Sequence, residues 1–244
     1  MHDYYERYKR QIMLKDFGRE KQDILKNSSV FIGGIGGLGG ATAAYLASAG
    51  IGRMVISHAG NLTESNMNRQ HLMDINKVGQ PRVEIAVENI LKINPDIKLE
   101  MHNVRLNEEN AEELIKGCGV AVSARPNFPE RVAMNNACVK LGVPMIEAAM
   151  DDMSGYLFNI FPHETACLRC FVKEEVEGWE ELGFGVLGAV SGTIGSLAAV
   201  EAVKILTGHG KPIKGKMMHI DFNTMRTITP TLKKNPDCPV CGGK

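Results

Sequence analysis

Val30-Phe31-Ile32-Gly33-Gly34-Ile35-Gly36-Gly37-Leu38-Gly39-Gly40 reads as a short buried strand, residues 30–32, that runs into a glycine-rich turn and a small-residue helix over 41–48. Within it lies Gly34-x-Gly36-x-x-Gly39. Each glycine has its own work in that spacing. The first makes the tight turn, the second lets a phosphate approach bare backbone, and the third lets the helix pack close to the strand. The free N–H groups and the positive end of the helix then face an anion. The alternative is a tight strand–helix turn that binds nothing.

Around this stretch the chain alternates. Gly50-Ile51-Gly52 suits the end of the first helix. Strands are expected at 54–57, 97–101, 120–124, 143–146 and 156–161, with helices at 83–93, 108–116 and 130–141. Residues 4–26 read as a polar helical arm, and 217–222 with 227–232 as a closing hairpin. Strand–helix alternation points to an α/β fold with a mainly parallel sheet wrapped on both faces. The expected organisation is one domain over 1–244: an arm (1–26), a nucleotide-binding half (27–152) and a cysteine-bearing C-terminal half (153–244).

The composition sets limits. The 244 residues carry a formal net charge of zero, which argues against a broad nucleic-acid or anionic-membrane footprint. Residues 184–200 carry no charge but are shorter than the ~20 residues of a membrane span, so a buried helix or subunit interface is expected there. No signal peptide is legible at the N-terminus, which suggests a cytoplasmic, reducing environment.

Four of the six cysteines form two pairs, Cys167-x-x-Cys170 and Cys238-x-x-Cys241. A Cys-x-x-Cys turn presents two thiolates to one ion, and two such turns complete a tetrahedral zinc site. The 67 residues between Cys170 and Cys238 exceed a compact zinc ribbon, so this site would tie distant parts of one fold together. Four thiolates leave no open coordination position, which favours a structural metal. Cys118 and Cys138 stand alone and read as core residues.

Asn66, Arg69, Gln70 and Arg82 follow the second strand. Ligands of open parallel sheets sit beyond the strand C-termini, and arginine forks suit phosphate oxygens. A self-stabilising loop is the alternative reading.

Several motifs then occur in a telling order. They are Arg7-Tyr8-Lys9-Arg10-Gln11-Ile12, the glycine loop, Ser65-Asn66-Met67-Asn68-Arg69-Gln70, Val78-Gly79-Gln80-Pro81-Arg82, Cys167-Leu168-Arg169-Cys170, Gly195-Ser196-Leu197 and Asn235-Pro236-Asp237-Cys238-Pro239-Val240-Cys241-Gly242. The chain resembles the ThiF/MoeB/HesA family of E1-like adenylyltransferases over nearly its whole length. The resemblance implies a homodimer with a Rossmann-like sheet, a zinc ion held by the four cysteines, and attack of a carboxylate on the α-phosphate of ATP. By position, Arg10 would reach the partner subunit's nucleotide and Arg69 its phosphates. Arg10, Arg69 and Arg82 are the candidate catalytic residues. Gly34, Gly36, Gly37, Gly39, His58, Asn66, Gln70 and Asn127 are the candidate nucleotide-binding residues.

The sequence departs from the family pattern at four positions. The Asp that usually grips the ribose is His58, and a second acid is Gly60. The usual phosphate-binding Lys is Arg82. The Asp that usually serves magnesium falls at Pro126, in Ser123-Ala124-Arg125-Pro126-Asn127. Glu147, Asp151 and Asp152 are the nearby acids that would have to replace it. The crossover region 171–183 holds no cysteine, so no covalent enzyme–carrier intermediate is expected.

The resemblance implies two substrate types. One is the C-terminal glycine of a ubiquitin-like sulfur carrier. The other is a small-molecule carboxylate such as guanylylpyridinol, the precursor of the [Fe]-hydrogenase cofactor. A catalytically degenerate scaffold of E1 shape is the alternative. A nicotinamide oxidoreductase leaves the cysteine pairs and the arginines unexplained.

Overall fold

The computed structural model describes residues 4–172 and 185–242. The arm forms three helices, α1 (Tyr4–Arg7), α2 (Lys9–Ile12) and α3 (Gly18–Lys26). Then come β1 (Ser29–Gly33), α4 (Gly37–Ala49), β2 (Arg53–Ser57), α5 (Arg82–Ile93), β3 (Lys98–His102), α6 (Ala111–Ile115), β4 (Val120–Ser123), α7 (Phe128–Leu141), β5 (Met145–Asp151) and β6 (Ser154–Ile160). After the cysteine turn come α8 (Gly188–Thr207), β7 (Met218–Asp221) and β8 (Arg226–Ile228). The acidic run at 174–181 lies outside the described residues.

One sheet carries all eight strands of the described residues, in the order β3-β2-β1-β4-β5-β6-β7-β8. The first five are parallel. From β5 onward the neighbours are antiparallel. The expected α/β architecture is therefore present, with an antiparallel extension on one side.

Alternation along the central strands explains why both faces are covered. Successive side chains point to opposite faces of a strand. Val30 and Ile32 of β1 enter one apolar core, with Met54 and Ile56 of β2, Val120 and Val122 of β4 and the helices α4, α5 and α8. Phe31, Val55 and Ala121 enter the other, with α6, α7 and the four paired cysteines. Phe31 is fully buried, and burying such a ring contributes about 1.5–3 kcal/mol. At the edge the pattern relaxes: Leu99 is half-buried and Met101 of β3 is exposed.

Several boundaries differ from expectation. The first helix starts at Gly37, not at residue 41, with Gly36 as its N-cap. Glycine is a poor helix former, so packing decides this start and local preference does not. The helix expected over 108–116 shortens to Ala111–Ile115, because Asn107 accepts from the N–H groups of Glu109 and Asn110 in a turn. The strand expected over 143–146 runs instead from Met145 to Asp151, held in register by β6.

The apolar helix α8 is the one described helix long and apolar enough to cross a membrane. Ile194, Ala198, Ala199 and Ala202 bury one face of it in the core beside α4 and the sheet. It approaches α4 closely because Gly195 has no side chain: a Cβ there would lie 2.2 Å from the Leu38 carbonyl oxygen.

Gly195→Ala should therefore cost at least about 2 kcal/mol, read from urea or thermal unfolding, since backbone must move to admit the methyl. Gly192→Ala, one turn earlier with open space around it, should instead stabilise the helix by up to about 1 kcal/mol.

Candidate functional site

A cleft of about 530 Å³ opens where β1, β2, β4 and β5 end. Gly34 lies in the turn with φ of 106°, a conformation that only glycine adopts without strain. A Cβ on Gly39 would sit 1.9 Å from the Gly34 carbonyl oxygen, so α4 and the turn pack backbone to backbone. Neither glycine lines the cleft. Gly36 and Gly37 do, at the N-terminus of α4. The first N–H groups of a helix have no carbonyl partner within it, and the helix dipole favours negative charge there.

The other candidate residues divide by position. Arg69, Gln70 and Arg82 line the cleft. Arg69 donates to the carbonyl of Ser65 at 2.8 Å and to Asn68 Oδ1 at 2.7 Å, which fixes its guanidinium, and its Cβ and Cγ lie beside Gly37 at the helix start. Arg82 donates to the carbonyls of Ala59 and Gly60 at 3.3 and 3.4 Å. Asn66 does not reach the cleft. Its Oδ1 accepts from Thr63 N and closes a capping box around residues 63–66, so it braces the loop. Asn127 lines the cleft, but Glu130 takes up both polar ends of its side chain: Oδ1 caps α7 and Nδ2 donates to Glu130 Oε1. Arg10 is exposed on α2, outside this cleft, so a role at a nucleotide would need a second chain.

The segment after β4 is held by two buried ion pairs on α7. Arg125 Nη2 meets Glu130 Oε1 at 2.6 Å, and Arg131 Nη1 meets Glu147 Oε1 at 3.2 Å. Arg131 also donates to the Arg125 carbonyl at 2.6 Å and to Tyr156 Oη at 3.1 Å. Burial raises the Glu147 carboxyl above the usual range, against the pull of Arg131. Glu147 is fully buried and does not line the cleft, so it is not a replacement magnesium ligand. Asp152 is exposed and does not line the cleft either. Among the described residues Asp151 is the one carboxylate that does.

His58 is buried at the end of β2. Its Nδ1 lies 2.9 Å from Arg125 Nη1 and 3.3 Å from Ile35 N. Both neighbours can only donate, so Nδ1 is the acceptor and the ring proton sits on Nε2. That atom is buried with no partner. Burial first, then the charges of Arg82, Arg125 and Arg105, push the imidazole pKa well down. Sequence reading saw Arg125 but not its pairing with His58, and it missed Arg105, Arg131, Tyr156 and Ser191 as cleft residues. Arg105 was within reach of the rule that ligands gather beyond strand C-termini, since it follows β3.

The cysteine turns converge as spacing predicts. The four sulfur atoms lie within 4.8 Å of one another, and all four residues are buried. Cys167 Sγ and Cys238 Sγ are 3.6 Å apart, and Cys170 Sγ and Cys241 Sγ 3.5 Å. A tetrahedral zinc with ~2.3 Å bonds needs sulfurs about 3.8 Å apart, so the set is compatible with zinc. Burial raises the Cys167 thiol, as do the neighbouring thiols of Cys241 and Cys238. At Cys238 burial also acts upward, but the N–H groups of Cys241 and Val240 together with the thiols of Cys167 and Cys241 bring the thiol down to about 7. Cys118 and Cys138 are buried in the core, as expected.

Because His58 is held neutral, the unfolded chain takes up its proton first as pH falls below about 6.5. Its contribution to stability is complete above that pH and is lost on acidification, at up to about 1.4 kcal/mol per pH unit. His58→Asn, measured by denaturant titration from pH 7.5 to 5, should show a shallower acid loss than the parent.

Comparison with known proteins agrees with this layout. Residues 8–240 match the ThiF family. The heterocyst HesA protein of Trichormus variabilis is 45% identical over 97% of this chain and 88% of that protein. The sulfur carrier protein adenylyltransferase of Thermus thermophilus is 37% identical, over 97% of this chain and 90% of that protein. The molybdopterin-synthase adenylyltransferase of Escherichia coli is 36% identical, over 97% and 96%. In fold the chain is similar to E. coli MccB crystallised with ATP, with a TM-score of 0.86 and 23% identity over 96% of this chain and 74% of that one. With its glycine loop, its cleft and its cysteine cluster in the family order, this chain belongs to the ThiF family.

Proposed function

We propose that this protein is an ATP-dependent adenylyltransferase that activates a carboxylate. The observation that carries the reading is the N-terminus of α4 at Gly36 and Gly37, open to a cleft that Arg69 and Arg82 also line. Bare amides and guanidinium forks suit the oxygens of a triphosphate. The relatives named as adenylyltransferases support the reaction class.

In this reading the carboxylate attacks the α-phosphate, forming an acyl-adenylate and releasing pyrophosphate. The chain's own part is positioning and charge stabilisation. The amides of α4 hold phosphate oxygens, while Arg69 and Arg82 balance the charge that shifts onto pyrophosphate. Arg10 of a second subunit would complete the set in a homodimer. Asp151 is the single lining carboxylate among the described residues, and hard magnesium prefers several oxygen ligands. No step is therefore assigned to magnesium.

The substrate we favour is the C-terminus of a small sulfur-carrier protein, as the names of the T. thermophilus and E. coli relatives suggest. A small-molecule carboxylate such as guanylylpyridinol is the second reading, supported by the altered cleft residues His58, Arg125 and Pro126. The four cysteines hold a structural zinc, and the protein acts in the cytoplasm, where thiols stay reduced.

ATP–pyrophosphate exchange tests the chemistry. Exchange should appear with one carboxylate class and fall at least about tenfold in Arg69→Ala, the loss of one charge-assisted contact. Silence with every carrier and every small carboxylate would refute the activity. Metal analysis should find one zinc per chain. Cys241→Ser should lose it and unfold at lower temperature, because removal of a ligand frees two distant segments.

A further inference from the structure

The cleft has a second corner, beside Ile35 of the glycine loop, at the C-terminal ends of β2 and β4. His58, Arg82, Arg105 and Arg125 line it. Dinucleotide-binding folds place a ribose there and meet its hydroxyl with an acid about 20 residues past the glycines. The chain has His58 at that place.

The hydrogen-bonding sense of this corner is reversed. A carboxylate accepts from a hydroxyl. His58 has Nδ1 occupied by Arg125 and Ile35, so it offers only Nε2–H, which is buried and without a partner. Arginine side chains also only donate. The acid paired with Arg125 is already occupied. Glu130 Oε1 accepts from Arg125 and Asn127, both at 2.6 Å, and Oε2 accepts from Leu106 N at 3.2 Å. The carbonyls of Ala59 and Gly60 accept from Arg82. Asp151 ends β5, three strands from β2 in the sheet, roughly 14 Å away at ~4.8 Å per strand. Among the described residues, a ribose hydroxyl would bring a proton with no unoccupied carboxylate lining this corner to take it. An oxyanion brings only acceptors.

We propose that this corner is an oxyanion subsite, which selects a ligand carrying a phosphate or carboxylate group where related folds hold a free ribose hydroxyl. The inference rests on the nucleotide reading above only for where a ribose would lie. The oxyanion either belongs to the nucleotide, as a phosphorylated ribose, or arrives as a separate acid. The chemistry at the corner is the same: His58 Nε2–H and the guanidinium groups of Arg82 and Arg105 donate to it.

Calorimetric titration of the purified full chain with AMP, with adenosine 2′,5′-bisphosphate and with inorganic phosphate tests this. If the oxyanion is on the nucleotide, the bisphosphate binds at least about tenfold tighter than AMP, the gain of one charge-assisted contact. If it is a separate acid, the bisphosphate gains nothing and inorganic phosphate binds to the AMP-loaded protein. In either case His58→Asp should remove the gain. Arg105→Ala, on an exposed side chain, should reduce it without disturbing folding. Three results overturn the proposal: AMP binding as well as the bisphosphate with no phosphate uptake, no binding by either phosphate probe, or a gain left at full size in both variants. Pyrophosphate exchange separates this failure from failure of the adenylation reading. Silent exchange with the bisphosphate preference intact removes adenylation alone. Active exchange without the preference removes the subsite alone.

Discussion

The backbone contact between Gly39 and the Gly34 carbonyl is the constraint on which the site depends. With no Cβ at either residue, α4 starts hard against the end of β1. This fixes the helix N-terminus at the C-terminal edge of a parallel sheet, the edge where the strand ends converge. A second close approach, Gly195 against the Leu38 carbonyl, presses α8 onto α4 and covers that helix from the other side. Gly188 and Ser191 at the start of α8 then meet Asn68, Arg69 and Gly37, so the same packing sets one wall of the cleft. The glycines shape the anion site by letting backbones touch, not by flexibility.

Electrostatics explains the rest of the cleft. Five arginines line it, but two of them are tied to buried glutamates on or beside α7. A buried pair is weak evidence for stability, yet removing one partner costs about 3–5 kcal/mol because the other charge is left buried. The pairs Arg125–Glu130 and Arg131–Glu147 therefore act as rigid struts under the segment that follows β4. They also keep these acids from neutralising the remaining guanidinium groups. The result is a cleft that presents donors and positive charge, with His58 held neutral among them.

The cysteine cluster acts at longer range. It joins the turn after β6 to the last residues of the chain, beneath the core that α6 and α7 share with the sheet. Four thiols at this spacing would repel one another as thiolates, and a divalent cation removes that repulsion while closing a long loop.

The architecture was legible in the sequence because it rests on local pattern and covalent spacing. The glycine spacing, the alternation of strands with helices and the two Cys-x-x-Cys turns each depend on residues close together in the chain. Gly34 and Gly39 took the turn and packing roles that their spacing implies, and Gly36 lines the cleft. The helix start at Gly37 was not legible, because glycine's own preference opposes it and only packing against β1 and α8 overrides that. The same holds for side-chain pairing. His58 and Arg125 are 67 positions apart, and nothing local joins them. Asn66 and Gln70, four residues apart in one loop, separate into a brace and a lining residue. Glu147 looked like a free acid and is instead sealed beside Arg131. The sequence by itself determined which elements form and in what order. Only the tertiary structure decided which charges meet and which atoms face the cleft, because burial and pairing arise where elements distant in the chain pack together.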